Sequence, residues 1–282
     1  MSADATAVIA MTDAIGGPPL CCVPAVSGSP YPYLPLARLL DDQPVVALEA
    51  PGFEDDRPPA GSLAELSAGY VEALRQARPG PAYALLGWSM GGVVALDMAH
   101  RLRRAGARVP ALILVDSALP TAMRHPVGLH RVARFVVDLL AAGGVDTAAV
   151  ASVLATLPVD TRPGAAFAAL GRAGVLPEDL DGPFLDSRYR LFEAHLSALI
   201  AHRPVEGYPG PVTVVRAAET PADLMRWERI AGNVTQVVVP GDHYSIWRGG
   251  GLAALSTVVR RILHGIRRTD AASDPDEPHL DR

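Results

Sequence analysis

The chain has 282 residues and a formal net charge of −5, and 49% of its residues are hydrophobic against 20% charged. This composition excludes wholesale disorder and predicts a soluble globular protein, whose length suits one α/β domain of roughly 200–250 residues with an insertion. All 25 basic residues are arginine and acidic residues outnumber them; this argues against nucleic acid as a partner, which a positively charged surface would attract.

Seven short apolar runs predict strands at Thr6–Met11, Leu20–Pro24, Pro44–Leu48, Tyr83–Leu86, Ala111–Val115, Val212–Arg216 and Thr235–Val239. From the third run onward they alternate with helical patterns at Ser62–Ala77, Gly92–Ala105, Pro221–Ile230 and Leu252–Ile266. Alternation of this kind predicts an α/β fold with a mostly parallel sheet and helices on both faces. Reactive groups are then expected at the carboxyl ends of the strands, where several loops converge.

The second predicted strand contains the only two cysteines of the chain, Cys21 and Cys22. Adjacent strand residues point to opposite faces, so these two should not pair. No apolar run approaches the roughly 20 residues of a membrane helix, and no basic residue precedes Arg38 as a targeting segment would require. We therefore expect a cytoplasmic protein that does not enter a membrane.

The fourth predicted strand runs into Gly87-Trp88-Ser89-Met90-Gly91, and a helix leaves it. A strand, a sharp turn and a helix around such a pentapeptide are typical of a nucleophile elbow, with Ser89 as the nucleophile. The two glycines are needed because a β-carbon at either of their positions would collide with the neighbouring strand or helix. A serine hydroxyl is a poor nucleophile at neutral pH, so the elbow predicts a histidine base and an acid that orients it.

The interval from Leu119 to about Glu206 shows helical spacing without a convincing strand, and its helices are predicted at His130–Leu140, Thr147–Leu157, Ala165–Leu170 and Asp186–His202. Inserted after a strand end, these helices are expected to cover the nucleophile as a lid or substrate chamber; the alternative is a surface subdomain without a gating role. We therefore predict one domain over residues 1–268, with a lid insertion at about 119–206 and an acidic disordered tail at 269–282.

Of the eight histidines, His243 is the best candidate for the base, because it follows the last predicted strand directly and comes after the serine in the chain. The residues leave the acid open between two positions. Asp116 ends the strand that follows the nucleophile helix, whereas Glu219 and Asp223 come after the next strand.

The sequence contains no spacing of His and Cys residues that would suit a metal site. The glycines at 249–251 lack the lysine of a phosphate-binding loop. We therefore predict no metal and no cofactor bound by this chain.

Three segments resemble the thioesterase domains that end polyketide and nonribosomal peptide synthases: Gly-Trp-Ser-Met-Gly-Gly at 87–92, Leu-Val-Asp-Ser at 114–117 and Pro-Gly-Asp-His-Tyr at 240–244. The resemblance spans nearly the whole predicted catalytic core and implies an α/β-hydrolase fold with a helical lid. These enzymes place the acid after the strand that follows the nucleophile helix. The resemblance therefore selects Asp116 to complete a triad with Ser89 and His243.

The resemblance also implies an oxyanion hole. Residues 23–29 resemble the loop that supplies half of it in this family, which assigns the hole to the backbone amides of Val26 and Met90. Ala25 is the alternative to Val26, and a plain connecting turn is the alternative to the whole assignment. Trp88 and Tyr244, beside the nucleophile and the base, either line the substrate chamber or pack beneath it.

The function implied by the resemblance is release of an acyl chain from the phosphopantetheine thioester of an acyl or peptidyl carrier protein, by hydrolysis or macrocyclisation. Eight arginines are either contacts for an acidic carrier or solvated helix faces: Arg101, Arg103, Arg104, Arg108, Arg131, Arg134, Arg260 and Arg261. Alternatives on the same scaffold are an editing thioesterase and a carboxylesterase. The non-enzyme alternative is an inactive hydrolase-fold binding protein.

Overall fold

The structure, a computed structural model, describes residues 7–15, 17–122, 126–140 and 146–272, with side chains up to residue 268. Its strands are β1 (Val8–Ala10), β2 (Leu20–Val23), β3 (Val45–Leu48), β4 (Ala84–Trp88), β5 (Leu112–Val115), β6 (Val212–Ala217) and β7 (Val234–Val239). Its helices are α1 (Leu34–Leu39), α2 (Leu63–Ala77), α3 (Met90–Arg104), α4 (Gly128–Leu140), α5 (Thr147–Ala155), α6 (Pro163–Arg172), α7 (Gly182–Ala201) and α8 (Gly249–Ala272).

The strands form one sheet in the order β1-β3-β2-β4-β5-β6-β7. Only the β1–β3 pair is antiparallel among the pairs described. Val23 lies opposite Gly87, and Trp88 lies opposite Val115, so β2, β4 and β5 end at one edge of the sheet. The predicted fold class, a mostly parallel α/β-hydrolase sheet, is confirmed.

Hydrophobic cores lie on both faces of this sheet. Helices α2 and α3 pack on one face together with the four helices between β5 and β6, and α1 and α8 pack on the other. Alternate strand residues enter different cores, as Leu85 and Leu86 of β4 do. Cys21 and Cys22 divide in the same way and are both free thiols.

The segment between β5 and β6 contains α4 to α7 and no strand in the residues described; we call these four helices the insertion. Aromatic side chains hold it together internally. Phe135 of α4 lies 5.4 Å from Phe167 of α6 and 5.2 Å from Tyr189 of α7, measured between ring centroids. No helix in the described ranges is both long and apolar enough to span a bilayer.

Two local expectations were wrong in detail, and one helix was missed. The predicted helix at Pro221–Ile230 is two short 3-10 turns, because Arg226 between them has a ψ of 56° and Trp227 is anchored by a tertiary hydrogen bond to Ser117. Helix α1 was not predicted, since six residues are too few to show a helical period. Helix α8 runs to Ala272, so residues 269–272 are helical rather than tail, and the remaining predicted tail lies outside the described residues.

Candidate active site

Ser89 occupies the turn between β4 and α3 with a φ of 56° and a ψ of −125°. Such a φ is strained for a residue with a side chain, and it is a common feature of functional sites. A β-carbon on Gly87 would lie 2.1 Å from the carbonyl oxygen of Gly91, and one on Gly91 would lie 2.2 Å from the carbonyl oxygen of Val23. Both positions therefore require glycine, and Ser89 is left half-exposed between two buried neighbours.

Hydrogen bonds from β5 and its loop hold this turn in place. The Ser89 amide donates to the Val115 carbonyl over 3.0 Å, and the Ser117 hydroxyl donates to the Ser89 carbonyl over 2.7 Å. Ser117 is itself fixed, because the Trp227 indole donates to its carbonyl over 2.6 Å. The sequence contained Ser117 in a family-like segment but gave no sign of this role.

Tyr33 is a second residue that sequence reasoning missed. Its buried hydroxyl donates to the carbonyl of Val23 and accepts from the amide of Trp88, the latter over 3.2 Å. These groups lie at the ends of β2 and β4, where one strand leads into the loop at 24–28 and the other into the elbow. Tyr33 thus joins the two backbone segments that flank the nucleophile.

Asp116 lies against the histidine that the sequence nominated as base. His243 Nδ1 is 2.7 Å from Asp116 Oδ2. Because an ionised carboxylate only accepts hydrogen bonds, Nδ1 carries the proton and Nε2 is free to act as a base. The side chain of Asp116 is fully buried, and that of His243 is 22% exposed. The competing acids Glu219 and Asp223 are exposed, and neither has a recorded bond to His243 among the described side chains.

The loop that carries His243 is braced by its neighbours. Asp242 Oδ1 accepts from the amides of Tyr244 and Ser245, each over 2.8 Å, and Ser245 Oγ accepts from the Asp242 amide over 2.8 Å. The bond from the Ser245 amide, followed by that from Tyr244, lowers the pKa of Asp242. This closed turn presents His243 at the carboxyl end of β7.

The ring of His243 also contacts Trp88, with the centroids 5.2 Å apart. Trp88 is 6% exposed and packs against Trp247 in the core on the α8 face, which favours packing over a chamber wall for this residue. The contact therefore places the His243 ring against the residue that directly precedes Ser89. No hydrogen bond joins Ser89 to His243 in the described part of the chain; in unliganded hydrolases this bond is often long and tightens with substrate.

Tyr244 connects the histidine loop to the insertion. Its hydroxyl donates to Asp138 of α4, and Arg134 Nε lies 3.4 Å from the same carboxylate. The Arg134 guanidinium also lies 5.6 Å from the centre of the Tyr244 ring. Burial, followed by the charge of Asp138, raises the pKa of Tyr244, so its hydroxyl remains protonated. These contacts join α4 to the loop that carries His243.

The loop at 24–28 lies directly against the start of α3. A β-carbon added to Gly91 of α3 would lie 2.7 Å from the carbonyl oxygen of Pro24 in this loop. Val26, its alternative Ala25 and Met90 are all buried. The Met90 amide begins α3 and has no intrahelical partner, and no acceptor is recorded for the Val26 amide in the described residues. Both amides thus remain candidates for the oxyanion hole.

The family model for the thioesterase domain matches residues 18–263. This chain belongs to the thioesterase domain family. The match covers β2 to β7, the insertion and most of α8, and therefore includes every active-site residue described in this section.

The curated relatives are large synthases, and this chain matches one part of each. It is 30% identical over 258 residues to the dimodular nonribosomal peptide synthase of Bacillus subtilis, covering 89% of this chain and 10% of that one. It is 38% identical over 102 residues to the non-reducing polyketide synthase atnG of Arthrinium sp, covering 36% of this chain and 5% of the synthase. The chain thus spans a tenth or less of the length of these curated relatives.

Among solved structures, the NocB thioesterase domain from the nocardicin cluster is 25% identical, with a TM-score of 0.67 and coverage of 93% of this chain and 99% of that one. A four-domain nonribosomal peptide synthetase, bound to AMP and glycine, superposes with a TM-score of 0.76 at 23% identity, over 90% of this chain and 20% of the synthetase. The second likeness supports the fold alone.

Several arginines of this thioesterase that were considered for partner binding are engaged within the chain. Arg131 pairs with Glu193 at 2.6 Å, and Arg101 donates to Ser67 and to the carbonyl of Ala64. Arg101, Arg103 and Arg104 also lie at the far end of α3, about 20 Å from Ser89 at the rise of an α-helix. Within the described residues, no three His, Cys, Asp or Glu side chains are grouped as a metal site would require.

Proposed function

We propose that this thioesterase releases a polyketide or nonribosomal peptide acyl chain from the phosphopantetheine thioester of a carrier protein, through an acyl-serine intermediate. The observation that carries the proposal is the 2.7 Å contact of His243 with buried Asp116, next to a serine in a strained elbow. Membership of the thioesterase family and the synthase relatives support the substrate class.

In the proposed first step His243 Nε2 takes the proton of Ser89 Oγ while that oxygen bonds to the thioester carbonyl carbon. Asp116 stabilises the imidazolium that results. The carbonyl oxygen becomes an anion, which accepts hydrogen bonds from the amides of Val26 and Met90; each such donor typically stabilises the transition state by a few kcal/mol. The C–S bond then breaks, His243 returns the proton to the carrier's thiol, and an ester of Ser89 remains.

In the second step another nucleophile gives its proton to His243 and attacks the ester, and Ser89 leaves with that proton. Water yields a free acid, whereas a hydroxyl or amine of the acyl chain itself yields a macrolactone or macrolactam. The contact of α4 with the histidine loop supports a lid role for the insertion, since a covered site excludes water and folds the chain back. The phosphopantetheine belongs to the carrier protein, and we propose no cofactor bound by this chain.

A fluorophosphonate probe tests the nucleophile, because it phosphonylates an activated serine. We expect the wild type to be labelled and Ser89→Ala to be unlabelled and inactive on thioesters. Ser152→Ala, at an exposed serine of α5, is the control and should be labelled like the wild type. Equal labelling of Ser89→Ala and the wild type would remove Ser89 from the mechanism, and an unlabelled wild type would favour a non-enzymatic binding protein.

Substrate profiling tests the reaction class. We expect acyl thioesters of N-acetylcysteamine or pantetheine to be consumed with a higher kcat/KM than p-nitrophenyl esters of the same acyl group. The reverse preference would identify a carboxylesterase. Mass spectrometry of the products from hydroxyacyl thioesters then separates free acid from macrolactone.

A further inference from the structure

His195 of helix α7 contacts the loop that holds the proposed oxyanion donor. Its Nδ1 lies 2.9 Å from the carbonyl oxygen of Val26, and its side chain is 1% exposed. A carbonyl oxygen only accepts, so Nδ1 carries the proton and donates it. The ring also packs against the same loop, because a β-carbon on Gly28 would lie 3.3 Å from His195 Cε1.

The second ring nitrogen of His195 is unusual for a buried polar atom. Nε2 has no hydrogen-bond partner among the described residues. Leaving such an atom unsatisfied costs about 1–3 kcal/mol, so an apolar side chain would suit this position better if packing were its only role. Burial lowers the pKa of His195, which keeps the ring neutral with one donor, directed at Val26.

The other bonds of this loop leave the Val26–Ser27 peptide unheld. The Gly28 amide donates to Ala25 over 2.9 Å, and the Ala50 amide donates to Gly28 over 3.1 Å. The first bond joins the Ala25–Val26 peptide, which carries the Val26 amide, to the Ser27–Gly28 peptide. Among the described residues, His195 is the hydrogen-bond partner of the Val26 carbonyl, so Val26 is held on its amide side by the Gly28 bond and on its carbonyl side by His195.

We propose that His195 is a positioning residue: by binding the Val26 carbonyl, helix α7 of the insertion completes the two-sided hold on Val26 that keeps the Val26 amide directed at the oxyanion. The inference rests on the proposed function only in assigning that amide to the oxyanion hole. It makes the insertion part of the catalytic geometry as well as a cover for the site.

Two amide variants separate the hydrogen bond from packing. Asn places its NH₂ near the position of the histidine Nδ1, whereas Gln places it farther out, near that of Nε2. We expect His195→Gln to lower kcat about 10- to 100-fold at nearly unchanged KM, the range that a displaced catalytic group commonly produces. His195→Asn should keep kcat within about threefold of the wild-type value. His130→Leu, at an exposed histidine of α4, is the control for replacing a histidine elsewhere in the insertion.

The rate of fluorophosphonate inactivation provides a readout that does not depend on the natural substrate, because the phosphonyl oxygen occupies the oxyanion hole. It should fall in His195→Gln in parallel with kcat and be preserved in His195→Asn. Equal kcat and inactivation rates in the two variants would overturn the inference, even if both variants melt at a lower temperature. If the wild type reacts with the probe but consumes no thioester, the proposed substrate class fails while the comparison of inactivation rates still tests His195.

Discussion

Asp116 shows at the scale of one residue how the fold prepares the base. Its carboxylate accepts from His243 Nδ1, from the Ala217 amide over 2.9 Å and from the Thr220 hydroxyl over 2.8 Å. Three donors around a buried carboxylate fix its orientation and therefore that of the imidazole. Ala217 ends β6, and Thr220 lies in the loop that follows, the loop that offered the competing acid Glu219. That strand end contributes donors to the acid and leaves Glu219 in solvent.

This arrangement predicts unequal effects for two isosteric substitutions. Asp116→Asn should lower kcat by about 10⁴-fold, because an amide favours the wrong tautomer of the histidine. Glu219→Gln should leave kcat close to that of the wild type. Steady-state kinetics on an acyl thioester make the comparison, with circular dichroism to check folding. Small and similar effects would mean that His243 is oriented by another group.

At the scale of elements, the insertion is joined to both sides of the reaction centre. Helix α4 reaches the loop of the proposed base through Asp138 and Tyr244, and α7 reaches the proposed oxyanion loop through His195. Both contacts pair a polar group of the insertion with a loop of the candidate site. In the proposed mechanism, movement of either helix would therefore also move a loop that carries a catalytic group.

The α4 contact leads to a prediction about stability. Tyr244→Phe removes the donor to Asp138, whose side chain is 8% exposed, and leaves the buried carboxylate with Arg134 as its recorded partner. We expect the free energy of unfolding to fall by about 1–3 kcal/mol, the usual cost of a buried acceptor that loses its donor. Urea denaturation measures the change. Tyr31→Phe, at a tyrosine 49% exposed, is the control and should have little effect; an equal loss in both variants would contradict the role of the Asp138 contact.

At the scale of the whole molecule, the insertion and one face of the sheet share a hydrophobic core. The same cluster contains Phe135 and Phe167 of the insertion, Val93 of α3 and Leu85 of β4. A lid hinged on a separate subdomain would have its own core instead. Because the buried apolar contacts continue from the insertion to the sheet, we expect the two to unfold together in one cooperative transition.

Calorimetry tests this continuity. We expect one unfolding transition for the wild type and for Phe135→Ala, with the variant less stable by about 3–5 kcal/mol, as is usual when a large core side chain is truncated. Val159→Ala, at an exposed valine (91%) in the loop between α5 and α6, should melt like the wild type. A second transition at lower temperature in Phe135→Ala would show that the insertion unfolds by itself.

The sequence alone determined the features that depend on neighbouring residues. The strand periods, the glycines around Ser89 and the position of His243 after the last strand are local patterns, and the parallel sheet follows from the alternation of strands and helices. Local patterns predicted the wrong element where a tertiary contact dominates. At Trp227, the hydrogen bond to Ser117 across the fold interrupts the predicted helix.

The residues by themselves left the acid open and the family resemblance selected Asp116; only the tertiary structure showed its contact with His243 and the further residues that hold the site. Asp116 and His243 are 127 positions apart, and His195 and Val26 are 169 apart. Such pairs meet because parallel strands bring distant loops to one edge of the sheet and the insertion folds back over that edge. The sequence around a residue does not indicate a partner so far along the chain, because topology and packing form the contact and the helical or strand period does not.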